Sequence, residues 1–128
     1  MAVEHPTRFA ASAPRRPAVV AASDGSVLTY DALERRTNRL AHALRRLGLA
    51  VGDHLAVLMD NRIEYFEAVW AGLRSGLLVT PINWHLAPEE AEYIVRDCDA
   101  AALIAAAPCA PLATAVDVPR FVVGGTVA

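Results

Sequence analysis

"VGDHLAVLMDNRIEYFEAVWAGLRSGLLVTPINWHLAPEEAEYIVRDCDAAALIAA" occupies residues 51–106, and its rhythm decides the fold. Three short apolar runs, at 54–59, 77–82 and 101–106, alternate with two longer amphipathic stretches. A run this short and this continuously apolar predicts a strand buried on both faces. The first amphipathic stretch, "IEYFEAVWAGLRSG", predicts a helix that buries Ile63, Phe66, Val69, Trp70 and Leu73, with Asn61 and Glu64 as its capping box. The second opens at Pro88, a residue preorganised for a first helical position. Glu89 and Glu90 follow in the positive first turn, and the helix is expected to run to about Asp97. The strand before it is expected to end at or near Pro81. Strand and helix in strict alternation point to βαβ units. The fold class expected is therefore α/β, a mostly parallel sheet with helices on both faces.

Upstream, "DALERRTNRLAHALRRLG" is the clearest helix. Leu33, Thr37, Leu40, Leu44 and Leu47 recur at steps of three and four, Asp31 and Glu34 resemble a capping box, and Gly48 suits the exit. Before it, "PAVVAA" and "VLT" flank the turn "SDGS" as a pair of short strands. Residues 1–17 form an arm rich in Pro, Ala and Arg, residues 18–106 the α/β core, and residues 107–128 a loop followed by the start of a further strand. "RFVV" before Gly124 and Gly125 is that strand. A parallel sheet stopped there is expected to expose an unpaired edge.

Composition narrows the function. The 128 residues are 55% hydrophobic and 20% charged with a formal net charge of -2, the balance of a globular domain and not of a nucleic-acid binder. All 12 basic residues are Arg. The absence of Lys removes Schiff-base chemistry, a lysine phosphate clamp and any catalytic lysine from these residues. Cys98 and Cys109 match neither a disulfide framework nor a zinc spacing and read as ordinary thiols of a reducing compartment. The first residues lack the apolar segment of a secretory signal, and no run reaches the roughly 18 apolar residues of a membrane span. A cytoplasmic protein with no integral membrane segment is the expectation.

Of His5, His42, His54 and His85, no pair has metal-ligand spacing, and no metal site is expected. GxSxG, GxGxxG and the Walker pattern are missing. Arg35, Arg39, His42 and Arg46 share one helix side, a pattern that reads better as a solvated face than as a phosphate surface. Asn83, Trp84 and His85 stand apart because they follow the carboxyl end of a strand, where open α/β sheets bind ligands. They are the candidate site residues, with Trp84 equally suited to be a hydrophobic anchor. Taken alone, the residues predict a domain without an assembled active site.

The segment from "VLTYDALERR" through "DAAALI" resembles the N-terminal part of the adenylate-forming acyl-CoA synthetases. The resemblance is carried in order by "LTYDAL" at 28–33, "GLRSGLLVTPIN" at 72–83 and "LAPEEAEYIVRD" at 86–97, and it covers about residues 6–106. It implies the incomplete large N-terminal domain of a ligase that activates a carboxylic acid, fatty acids included, with ATP and Mg2+ to an acyl-adenylate. The acyl group would then pass to coenzyme A. The family's phosphate loop, its magnesium-associated Thr-Glu pair, its ribose-binding Asp and its C-terminal catalytic Lys match nothing in residues 1–128. The chain alone is therefore expected to be inactive and to bind none of these cofactors tightly. Where many members carry Arg two positions beyond the Pro-Asn segment, as a contact for the phosphates of CoA, His85 stands here behind Trp84. A neutral imidazole lacks the guanidinium fork, so a weaker contact is expected. The resemblance leaves two alternatives open. One is a naturally short, non-catalytic association or dimerisation protein, a homodimer or a partner for the missing domain portion. The other is a small flavodoxin-like nucleotide-binding domain.

Overall fold

The computed structural model describes residues 4–124. In chain order the elements are α1 (Pro6–Ser12), β1 (Pro17–Val20), β2 (Val27–Thr29), α2 (Tyr30–Arg46), β3 (His54–Leu58), α3 (Ile63–Arg74), β4 (Leu78–Ile82), α4 (Pro88–Asp97), β5 (Ala100–Ala106), a 3-10 turn (Ala110–Ala113) and β6 (Arg120–Val123). β1 and β2 pair antiparallel as a small separate sheet, while the main sheet is wholly parallel in the order β4-β3-β5-β6. Gly125, expected to flank the last strand, lies outside the described residues.

Strand order settles where the helices go. The chain steps one way from β3 to β4, then the other way from β4 to β5 and on to β6. Right-handed crossovers in opposite directions put their connections on opposite faces of the sheet. α3 accordingly packs on β3, β4 and α2, whereas α4 packs on β5 and the 3-10 turn. Between these layers Leu55, Ala56, Val57 and Leu58 of β3, and Ala102 through Ala106 of β5, have no exposed surface.

The inward face of α3 differs from expectation. It is built from Ala68, Ala71 and Gly72, while Phe66 and Leu73 are nearly half exposed. Small residues let the helix axis approach the sheet. A Cβ at Gly72 would lie 2.6 Å from Val79 Cγ2 and 3.0 Å from Leu55 Cδ2. Trp70 packs edge-on against the His5 ring at 4.9 Å, covering the N-terminal arm. On α2 the buried positions are Leu33, Thr37, Ala41 and Leu44, and Leu47 is left exposed at the C-cap.

Two of the expected caps also move. Thr29 caps α2, its Oγ1 accepting the Ala32 amide at 3.2 Å, and Asp31 falls inside the first turn. α3 starts after Arg62 with no side-chain cap, so Asn61 does not serve. Glu34 is drawn away from capping by a stronger partner. Arg74 donates to both its carboxylate oxygens, at 3.0 and 3.2 Å, and to Thr37 Oγ1 at 2.9 Å; Thr7 Oγ1 donates to the same carboxylate at 2.9 Å. This cluster ties α1, α2 and α3 together. At α4 the expectation holds, with Pro88 at the first helical position and Glu90 accepting the Ala87 amide at 2.9 Å. Pro81 lies within β4, one residue before its end. An edge strand tolerates it because a missing donor there need not break the ladder.

Gly72→Ala weighs helix propensity against space. Alanine gains about 1 kcal/mol over glycine inside a helix, but overpacking a filled site costs about 1–3 kcal/mol. Val79 is stiff at χ1 and Leu55 is fully buried, so packing wins. Urea denaturation is expected to show a net loss of about 1 kcal/mol or more; a variant as stable as the parent would mean α3 sits less tightly on the sheet.

Glu34 gives a pH signature. Hydrogen bonds from Arg74 hold its carboxyl below its ordinary value of 4.5. The unfolded chain therefore takes up the proton first on acidification. The pair's contribution is complete above the unfolded value and is lost as pH falls through the folded one. Glu34→Gln is expected to cost about 1–3 kcal/mol at neutral pH, with parent and variant converging in acid. A cost that does not vary with pH would contradict the charge pairing.

Candidate functional site

Because the four strands run parallel, their carboxyl ends form one rim. Register sets Leu58 beside Ile82 and Ala105, and Ala106 beside Val123. The loops after β4, β3 and β5 and the exit from β6 therefore stand in a row. In such sheets ligands sit where strand order reverses. Here the reversal lies between β3 and β5, whose following connections leave toward opposite faces.

The loop after β4 brings the three sequence candidates together. Asn83 Oδ1 accepts the His85 amide at 3.0 Å, an Asx turn, and the Leu86 amide reaches Asn83 O at 3.4 Å. This tight turn lays the His85 ring on the Trp84 indole, with centroids 3.7 Å apart at 32°. All three residues are exposed. Trp84, at 38% exposure, is no anchor in the core; its neighbour on the ring face is His85. The pair offers a flat aromatic surface and an imidazole at the rim, and it encloses nothing.

At the switch point the chain places residues that the sequence did not single out. Asp60 and Arg62 follow the end of β3 and form a two-point pair, Nε to Oδ1 at 2.6 Å and Nη2 to Oδ2 at 3.1 Å. The guanidinium holds the Asp60 carboxyl below its usual range, and the carboxylate holds Arg62 up. Beneath them Cys109 is 2% exposed; burial pushes its thiol up, opposed by a backbone hydrogen bond from Asp60. Beside Arg62 a cleft of about 610 Å³ opens between the β1–β2 turn and the start of α3, with Val19, Val20, Ile63 and Phe66 among its walls. Strand order alone identifies this place, and strand order is not written in the local pattern of 60–62.

The remaining candidates are structural or solvated. His5 Nδ1 accepts the Thr7 amide at 3.2 Å and caps α1. Arg35, Arg39, His42 and Arg46 are exposed along α2, with Arg35 paired to Asp31 at 3.2 Å. Among the described residues no group of three or more His, Cys, Asp or Glu is placed to hold a metal ion. Among them, too, no helix is long and apolar enough to cross a membrane.

Residues 7–124 match the family described as AMP-binding enzyme. The chain is 40% identical over 84 residues to a fatty acid–[acyl-carrier-protein] ligase, ScoC, of Streptomyces coeruleorubidus, covering 66% of this chain and 16% of that protein. It is 35% identical over 103 residues to the long-chain-fatty-acid–CoA ligase FadD13 of Mycobacterium tuberculosis, covering 80% and 20%. Among solved structures, the N-terminal domain of FACL13 from Mycobacterium tuberculosis superposes with a TM-score of 0.81 at 30% identity, over 92% of this chain and 32% of that one. An anthranilate CoA ligase, AuaEII, in complex with anthranoyl-AMP superposes with a TM-score of 0.85 over 96% of this chain and 25% of that one; at 24% identity that likeness concerns the fold. The chain thus spans 16–20% of the length of the curated relatives named here.

Burial separates the two thiols. Cys98 is half-buried at the end of α4 and Cys109 is enclosed. Since the thiolate reacts and must be reached, a disulfide reagent at mildly alkaline pH is expected to modify Cys98 first and Cys109 only on unfolding. Equal rates in the folded protein would contradict the closed switch point.

Proposed function

The chain belongs to the AMP-binding enzyme family, and from that premise we propose that it is the N-terminal part of a ligase that activates a carboxylic acid with ATP and passes the acyl group to coenzyme A or a carrier thiol. The observation that carries the reading is the match to fatty-acid CoA and acyl-carrier-protein ligases across 66–80% of the chain. In the complete enzyme these residues supply one wall of the N-terminal domain. The groups that bind the ATP phosphates and Mg2+ lie in the remainder, and residues 1–128 by themselves are inactive. Domain limits follow the sequence division, with the arm at 1–17, the core at 18–106 and the connection to the next strand at 107–128. Mg2+ would stabilise charge on the departing pyrophosphate from elsewhere in the enzyme; no step passes through it here.

Asn83, Trp84 and His85 border the CoA side of the cleft in this reading. Their place at a strand's carboxyl end and their exposure support it. A single imbalance follows from His85. An imidazole presents one nitrogen at a time where a guanidinium presents a fork, so the phosphate contact is weak and orients more than it binds.

A second reading, a short association protein, draws support from apolar side chains left in water. Val20, Val27, Leu78 and Val122 are each at least half exposed, and a partner chain could cover them as well as more of the same chain could. One experiment separates the two. Intact mass of the product from its native cell is expected to be several times that of 128 residues, and that product is expected to catalyse acid-dependent ATP–pyrophosphate exchange while the 128-residue chain does not. A native product of this length, soluble and dimeric, would replace the first reading with the second. Exchange by the purified short chain would overturn the assignment of the phosphate site to the remainder.

A further inference from the structure

The side chain of Arg62 is long, and its loop stands at the end of β3, two strands from β6. Neighbouring strands lie about 4.8 Å apart, so a guanidinium starting in the loop after β3 can cross the end of β5 and reach the β6 exit. It does so. A Cβ built on Gly124 would collide with Arg62 Nη1, which means the guanidinium rests against the Gly124 backbone. Gly124 has φ +69°, a left-handed turn immediately after the last paired residue, Val123. The other two nitrogens of the guanidinium are held by Asp60, and the enclosed Cys109 lies near both residues. Arg62 itself is 80% buried as a side chain, with 20% exposure, deep for a residue on a loop.

We propose that Arg62 is a positioning residue: oriented by Asp60, it bridges the ends of β3 and β6 over the switch point and sets the direction in which the chain leaves the sheet at Gly124. Three features converge on one atom group. Asp60 fixes the guanidinium plane by a two-point bond, Gly124 supplies the missing side chain that makes room for it, and the left-handed turn at Gly124 brings the backbone under Nη1. The inference stands on these contacts and survives failure of the ligase reading. Under that reading, the segment beyond Gly124 leads to the phosphate loop expected from the resemblance, so Arg62 would orient it without touching substrate.

Two backbone hydrogen bonds report on the clamp independently of global stability. The Ala107 amide donates to Val123 O at 2.9 Å, next to the exit, and the Leu103 amide donates to Pro119 O at 2.9 Å, at the far end of β6. In amide-exchange NMR on the 128-residue chain, Arg62→Ala and Asp60→Asn are expected to speed exchange at Ala107 about tenfold relative to Leu103. Should Arg62→Ala not fold, Asp60→Asn and Arg62→Lys are read by the same ratio, since lysine keeps the charge but cannot hold Asp60 and Gly124 together. An unchanged Ala107-to-Leu103 ratio in every variant that folds overturns the proposal. A double-mutant cycle tests the contact itself. Gly124→Ala strains the backbone in any background, but it collides with the guanidinium only where Arg62 is present. Its cost is therefore expected to be smaller beside Arg62→Ala than in the parent. Equal costs would reduce Gly124 to a turn residue and end the bridging role.

Discussion

β3 has no side in water. Four of its five residues are completely enclosed, and both of its edges are paired in parallel. A strand in that position needs a neighbour on each flank and a covering layer on each face, because its amides and its apolar side chains have no other outlet. The rest of the domain answers those four demands. β4 and β5 take the flanks, α3 with α2 behind it covers one face, and α4 with the 3-10 turn covers the other. Reversal of direction between the first and second crossover is what makes the two-faced cover attainable with right-handed connections. The same reversal sets the switch point at the carboxyl ends of β3 and β5.

The alternation of strands and helices was legible because each strand is a short uninterrupted apolar run and each helix has a polar stripe. Pro88 and Glu90 marked the start of α4 because both act through the local backbone. What misled was competition from residues distant in sequence. Glu34 has the spacing of a capping residue, yet Arg74, forty residues on, binds it more strongly, and Thr29 is left to cap α2. On α3 the large apolar residues looked like the buried face, but close packing on the sheet selects Ala68, Ala71 and Gly72, and volume excludes Phe66. Hydrophobicity scales rank side chains by transfer and say nothing of how near a helix axis must come.

At the rim the sequence was informative about position. Asn83, Trp84 and His85 could be placed after a strand's carboxyl end because such an end is recognisable locally, and the Asx turn at Asn83 holds the other two in a stack. Asp60, Arg62, Cys109 and Gly124 come from three separate connections, and only the order β4-β3-β5-β6 makes them neighbours. That order also bears on the reading as a small nucleotide-binding domain. The crevice such a ligand would enter is spanned by the chain's own Asp60–Arg62 pair, and the aromatic pair of the β4 loop stands outside it.

The two borders of the main sheet are chemically unlike. β4 carries Pro81, which offers no amide and interrupts the row of donors that another strand would need. β6 carries no proline, while both borders leave an apolar side chain half exposed, Leu78 on β4 and Val122 on β6. The two borders therefore differ in the donors they offer: the row is interrupted at Pro81 on β4 and has no such gap in β6. During synthesis, when this stretch emerges before anything that follows it, a stray strand meets an interrupted template at β4. At β6 an added strand would meet a row of backbone groups that no proline interrupts.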